Sequence, residues 1–281
     1  MEVLLLRSLS PPREEAGRLN ERWEALVRGK AVAPVDLTFS GGAIGRVSRD
    51  LTGGRKELLL SLPSEMYRDI YCFLEEWGEV PLPPYIIRKR GAADQTAPSD
   101  RRRYQTVYAE KWGSVAAPTA GLHFTERLFG EIKAKGVQTA AVTLHIGLDT
   151  FQPIRTEKID AHVMHREWFD VPGPTAEAIQ EARKRDGRVI AVGTTVTRVL
   201  ESVSRRDGDV QSGSGETSLF ITPGYHFNGI DVLITNFHLP KSTLLVLVSA
   251  FAGIEVVRAL YEEAIREKYR FYSYGDAMLI L

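Results

Sequence analysis

From residue 125 to the C-terminus the chain alternates between two periodicities, and this limits its fold more than any other feature. "TERLFGEIKAKG" reads as a helix capped by Thr125 and stopped at Gly136, "VQTAAVTLHIG" as a strand, and "TAEAIQEARKRDG" as a helix ending at Gly187. "RVIAVG", "DVLITNF" and "AMLIL" read as strands; "TTVTRVLESV", the stretch from Ser242 to Gly253, and "EVVRALYEEAIREKY" read as helices. Strands interleaved with helices bury their apolar faces in a layered α/β core.

The first third has a different rhythm. "MEVLLLRSL", "RWEALVR", "AIGRVSR" and "KELLLSL" are short apolar or alternating runs punctuated by "SGG" and "LTGG". Short strands at close spacing predict a small barrel or sandwich. "MYRDIYCFLEEWG" predicts a helix with Ile70, Phe73, Leu74 and Trp77 on one face and Gly78 as its stop.

Composition narrows the function classes. Lys+Arg and Asp+Glu are 36 each, so no global cationic field exists and nucleic-acid binding would need a local patch. Residues 88–103 offer one: Arg88, Lys89, Arg90, Arg101, Arg102 and Arg103 face only Asp94 and Asp100, which fits phosphate binding or a solvated linker. Cys72 is the single cysteine, which excludes an intrachain disulfide and a Cys-cluster metal site and fits a reducing, cytoplasmic setting. The opening "MEVLLLRSLSPP" lacks a basic flank and a small-residue cleavage site, so no signal peptide is expected. The longest apolar run, Leu244 to Ala252 with Ser249 inside it, is far short of the roughly 20 residues of a membrane span, so no membrane partner is expected.

The familiar phosphate-loop, nucleophile-elbow and zinc-protease signatures are missing. What remains is polar residues at strand ends. "PTAGLHF" is a small-residue loop before a helix, with Thr119, Gly121, His123 and Phe124. "TLHIG" ends a strand on His145, and "HVMHREWF" carries His162 and His165, a pair short of the three or four ligands that a zinc site takes. "AVGTTVTRVLE" runs a strand into Gly193, Thr194 and Thr195 and then a helix bearing Arg198, a geometry that holds phosphate, carboxylate or ribose as readily as it makes an ordinary helix start. "DVLITNFHLPKST" brings Asn236, Phe237, His238, Lys241 and Ser242 to one strand-to-helix junction. "YRFYSYGDAMLI" places Tyr274 and its aromatic neighbours beside Asp276.

Together, "GSVAAPTAGLHFT", "LHIGLDTF", "MHREWF", "RVIAVGTT", "PGYHF", "DVLITNFHLPKSTLLVLVSAFAG" and "YRFYSYGDAMLI" resemble the S-adenosylmethionine:tRNA ribosyltransferase-isomerase family of queuosine biosynthesis, over nearly all of residues 80–281 and more loosely over 1–80. The resemblance implies a mixed α+β fold: a small β-barrel-like insertion domain, 1–108, and an α/β catalytic domain, 109–281. The family barrel is six-stranded, whereas four or five strands are legible here. It implies transfer and isomerisation of the ribosyl moiety of S-adenosylmethionine onto 7-aminomethyl-7-deazaguanine at the tRNA wobble position, giving epoxyqueuosine with release of adenine and methionine. S-adenosylmethionine is then a co-substrate, with no bound cofactor and no metal.

That chemistry needs a base for the C–H beside the sulfonium and an acid for the departing adenine. The resemblance makes His123, His145, His165 and His238 candidates, with Asp231 and Asp276 as partners; which is base and which is acid stays open. It implies Lys241 and Arg198 as anion contacts, Phe124, Phe237 and Tyr274 as stacking groups, and Thr119, Gly121, Thr195, Asn236 and Ser242 as the rest of the substrate wall. The six cations of 88–103 would hold tRNA. The family pattern has a further stretch before the strand matching "EVLLLR", whose absence would uncover core and leave a sheet edge unpaired. It also differs at Asp149, Val196-Thr197 and Glu216, where Gly, Ser-Val and an aromatic are usual. Two alternatives are an inactive tRNA-binding paralogue and another S-adenosylmethionine-dependent enzyme such as a methyltransferase.

Overall fold

The computed structural model describes residues 1–29, 32–83, 86, 97–147, 159, 162, 164 and 166–281, with 97–99 as backbone only. Arg88, Lys89, Arg90, Asp149 and His165 lie outside the described residues. The chain divides into two units, Met1–Arg88 and Lys89–Leu281.

The first unit holds β1 (Glu2–Ser8), β2 (Arg13–Glu15), β3 (Arg18–Arg28), β4 (Val35–Thr38), β5 (Ile44–Asp50) and β6 (Lys56–Pro63). They form one antiparallel sheet in the order β1-β3-β6-β5-β4, with β2 on β3. Among the described residues the strands number six, not four or five. The two that sequence missed are short: "REE" has no apolar residue and "VDLT" no second period, so only pairing reveals them. Among the described residues β1 and β4 do not pair, so the sheet is not closed. The period-2 pattern of β6 sends Leu58, Leu60 and Leu62 to one face, where they join Trp23, Ala25 and Val47 in the core. Helix α1 (Ile70–Trp77) adds Ile70 and Phe73. The carboxylate of Asp69 caps it by accepting from the Cys72 N–H at 2.9 Å. Trp77, expected on the same face, instead sits at the rim, 46% exposed, where its indole N–H donates to Tyr67 Oη at 2.8 Å.

In the second unit the helices are α2 (Ala97–Arg103), α3 (Glu126–Ala134), α4 (Gly173–Lys184), α5 (Thr194–Val203), α6 (Thr243–Ala252) and α7 (Ile254–Arg266). The strands are β7 (Thr143–His145), β8 (Glu167–Val171), β9 (Ile190–Val192), β10 (Gly213–Thr217), β11 (Val232–Asn236) and β12 (Ala277–Ile280). They make two three-stranded sheets, β10-β8-β7 and β12-β11-β9. Only the last three residues of the expected strand "VQTAAVTLH" pair, through β8. Strand β10, "GSGET", has no apolar residue to announce it.

The pair that positions the site is β9 and β11, which run parallel with Ile190 opposite Val232 and Val192 opposite Ile234. Both strands therefore finish on the same side of the sheet. Val199, Leu200, Leu233, Leu247 and Val248 are buried beneath them in the largest apolar cluster. The guanidinium of Arg198 donates to Glu167 Oε2 at 2.6 Å and to the Leu219 carbonyl at 2.9 Å, an ion pair buried at both ends. Among the described residues no single helix is long and apolar enough to cross a membrane; α6 and α7 bend by 113° at Gly253.

Candidate active site

The C-terminal ends of parallel strands are where open α/β sheets bind ligands, because chains diverge there and leave a crevice. In this chain β9 runs into Gly193-Thr194-Thr195, and β11 into Phe237-His238. A narrow cleft of about 40 Å³ opens between these ends. Gly193, Thr194, Thr195, Thr235, Asn236 and His238 line it; the loop Ala117–Ala120, Ile146 and Leu244 complete its walls.

Gly193 caps α5 at φ 100° and ψ 146°, a backbone that L side chains rarely adopt, and no side chain caps the helix. The first amides of α5 therefore face the cleft without a competing acceptor, a setting that attracts anions. Gly193→Ala is expected to cost about 1–3 kcal/mol of strain. Urea unfolding of the two proteins measures it, and equal midpoints would contradict the strain.

Asn236 is the hub. Its Oδ1 accepts from Thr119 Oγ1 at 3.0 Å, and its Nδ2 meets both the Tyr272 carbonyl at 3.3 Å and His123 Nε2 at 3.1 Å. A carbonyl only accepts, so Nδ2 must be the donor on that side, and His123 Nε2 must then be the acceptor. His123 is thereby held neutral, with its proton on Nδ1. Burial lowers its pKa below the ordinary imidazole value; Asp276 opposes this and Arg270 adds to it. Asp276 is tied to Arg270, accepting from its backbone N–H at 2.7 Å and from its guanidinium at 2.6 Å. Gly121 belongs to the same loop as Thr119. A Cβ there would run into the Tyr108 hydroxyl and Thr106.

His238 is buried, and its Nε2 lies 2.8 Å from Thr235 Oγ1. Burial pushes its pKa down to about 4, so the ring is neutral near pH 7. The unfolded chain takes up a proton near pH 6.5 and the folded chain does not. The stability from this residue is thus full above about pH 6.5 and gone once pH has fallen through about 4, a loss of about 3 kcal/mol. Denaturant titrations of wild type and His238→Gln at pH 7.5 and 4.5 should diverge by that amount, and parallel losses would refute it.

Ser242 caps α6, accepting from the Leu245 N–H at 3.2 Å, and exposed Lys241 precedes it with φ 57°. His145 lies next to the cleft wall, stacked on Trp168 with ring centroids 4.6 Å apart; burial first, then Lys111, lowers its pKa. Phe124 packs on Phe129 at 5.4 Å. Tyr274 donates to Asp100 Oδ1 at 2.9 Å, with Arg103 over its ring at 5.9 Å, while Arg101 and Arg102 are exposed on α2.

Of the expected residues only Thr119, Thr195, Asn236 and His238 line the cleft itself, and three are engaged elsewhere in the fold. Phe237 is buried among Tyr261, Tyr269 and Phe271. Arg198 is spent on Glu167. Asp231 sits at the opposite end of β11, accepting from the Val189 N–H at 2.7 Å. Sequence reasoning missed Thr235, and Gly193 entered it only as a turn. The signal for Thr235 was a hydroxyl one register step before Asn236 in an otherwise apolar strand.

The family model described as "Queuosine biosynthesis protein" matches residues 1–280. Proteins named S-adenosylmethionine:tRNA ribosyltransferase-isomerase are similar to this chain. That of Moorella thermoacetica is 49% identical over 284 residues, covering 100% of this chain and 77% of the relative. That of Halothermothrix orenii is 48% identical with the same coverage. That of Cupriavidus pinatubonensis is 57% identical over 74% of this chain and 58% of its own length. A crystal structure of S-adenosylmethionine tRNA ribosyltransferase from Thermotoga maritima is 32% identical, covering 99% of this chain and 74% of that one, with a TM-score of 0.49. Motif order, whole-length match and identity agree: the chain belongs to the queuosine biosynthesis protein family, with the S-adenosylmethionine:tRNA ribosyltransferase-isomerases as its relatives.

Proposed function

We propose that the chain is an S-adenosylmethionine:tRNA ribosyltransferase-isomerase working in the cytoplasm. It moves the ribosyl moiety of S-adenosylmethionine onto 7-aminomethyl-7-deazaguanine at the tRNA wobble position, with no resident cofactor or metal. The observation that carries this reading is 48–49% identity, over the whole chain, to relatives bearing that name. Residues 1–108 are read as the barrel-like insertion and 109–281 as the catalytic part.

The cleft between β9 and β11 supports a site for the sulfonium sugar. The uncapped start of α5 suits the methionine carboxylate, with Lys241 as a second cation. His123 is the group for proton transfer: it is neutral, and it can take a proton on Nε2 once the Asn236 amide lets go. His238, too depressed to be charged near pH 7, serves by hydrogen bonding, and His145 flanks the cleft. Stacking falls to Phe124 and Tyr274, since Phe237 is occupied in the core. Arg101, Arg102 and Arg103 hold tRNA together with Arg88, Lys89 and Arg90. Asp276 acts through Arg270 and His123.

Purified chain with S-adenosylmethionine and precursor tRNA is expected to release adenine and methionine in step with epoxyqueuosine. Release of S-adenosylhomocysteine would point to methyl transfer instead, and tRNA binding without turnover to an inactive paralogue.

A further inference from the structure

The outward face of the first unit's sheet carries an ordered arginine array. Strand alternation separates it cleanly from the core face: Trp23, Ala25, Leu58 and Leu60 point in, so Arg22, Glu24, Glu57 and Leu59 point out. Cross-strand register then aligns Arg7, Glu24, Glu57 and Arg49 in one row across β1, β3, β6 and β5. The neighbouring row is Arg22, Leu59 and Arg46.

Two carboxylates facing each other across strands repel. Here each is held by two guanidiniums. Glu24 accepts from Arg7 at 3.0 Å and Arg55 at 2.8 Å; Glu57 accepts from Arg49 at 2.8 Å, with Arg22 at 4.0 Å. The carboxylates are buried beneath the arginines, while the Arg7 and Arg49 side chains are 72% and 68% exposed. At Glu57 two guanidiniums face one carboxylate, so that cluster keeps an uncompensated positive charge. Its guanidinium forks are held from below with their outer edges in water. The second row ends on Asp36 of β4, which pairs Arg46 at 3.8 Å; the cations on both rows are all arginine, the side chain that meets phosphate oxygens in bidentate fashion.

We propose that this face is an RNA phosphate-docking surface, in which Glu24 and Glu57 hold paired arginines in place for the backbone of the tRNA substrate. The proposal rests on the reading of tRNA as substrate. An ordered arginine loses less freedom on binding than a free one, so the buried carboxylates raise affinity although their charge is unfavourable to RNA. Solvated ion pairs alone would be worth little to the fold, with a median of about 0–1 kcal/mol each.

The test is fluorescence anisotropy of labelled precursor tRNA against the full chain from 50 to 250 mM salt. The variants are Arg7→Gln/Arg49→Gln, and separately Arg22→Gln, whose loose pairing leaves the fold safe. Thermal melts establish that each variant is folded. The double variant should bind about tenfold more weakly near 150 mM salt, with the slope of log K against log salt reduced by about 1.4–1.8. Arg22→Gln should reduce the slope by about 0.7–0.9. Wild-type binding with unchanged affinity and slope in both variants overturns this surface and leaves the proposed function standing. No tRNA binding by wild type overturns both.

Discussion

Asn236→Ala is expected to lower the rate of adenine release at least about 100-fold while the protein still folds. The side chain is 2% exposed and makes three hydrogen bonds, to Thr119, His123 and Tyr272. Removing it takes one hydrogen-bond partner from the half-buried Tyr272 carbonyl and from the Thr119 hydroxyl, at about 1–3 kcal/mol, and frees His123 to turn and change tautomer. A purely structural amide would move stability and leave the pH profile alone. On the proposed role the neutral imidazole accepts a proton, so wild-type activity is expected to be lost as pH falls through a pKa below the ordinary 6.5. Asn236→Asp replaces the donor with an acceptor, which favours protonated Nε2 and should move that acid limb to higher pH. Rate profiles of the three proteins from pH 5 to 9 decide it; superimposable limbs would remove His123 from proton transfer.

Glu167→Gln is expected to destabilise the second unit by about 3–5 kcal/mol, because it leaves the Arg198 charge buried without its counter-ion. Arg198 is 4% exposed, and among the described residues its Nη2 has no hydrogen-bond partner and the 2.6 Å contact to Glu167 is its one ion pair. For a unit of this size the melting temperature should fall by roughly 10 °C. A double substitution to Arg198→Met/Glu167→Gln should recover part of the loss, since no charge then remains to be buried. Calorimetry on the single and double variants measures it. A single variant that melts within a degree or two of wild type would show that the pair contributes nothing.

How much of this was legible follows from where the information lies. Period-3.6 and period-2 patterns are local, so α4, α5, α6, α7, β11 and β12 could be read within a few residues of their ends. Strands β2, β4 and β10 are short or polar, and they exist because β3, β5 and β8 offer partners. The junction after β11 was legible as a polar cluster on a strand end. The division of labour within it was not. Asn236 and Phe237 are adjacent in sequence, yet alternation sends the amide to the cleft and the ring to the core. Arg198 reads as a ligand contact because it follows a Gly-Thr-Thr turn, and only the fold reveals Glu167 beside it, 31 residues away. Asp231 and His238 are close in sequence, but the strand between them puts them at opposite ends of the sheet.

The claim on which the account depends is that the crevice at the ends of β9 and β11 receives the sulfonium sugar. Nitrogen-detected spectra of the histidine rings, taken with and without S-adenosylmethionine, test this most directly. The account predicts an Nδ1–H tautomer for His123 in the free protein and ligand-induced shifts at His123 and His238. His162, against Phe220, and His226, in the loop before β11, should stay unmoved. Shifts at His162 or His226 with His123 and His238 unchanged would contradict it.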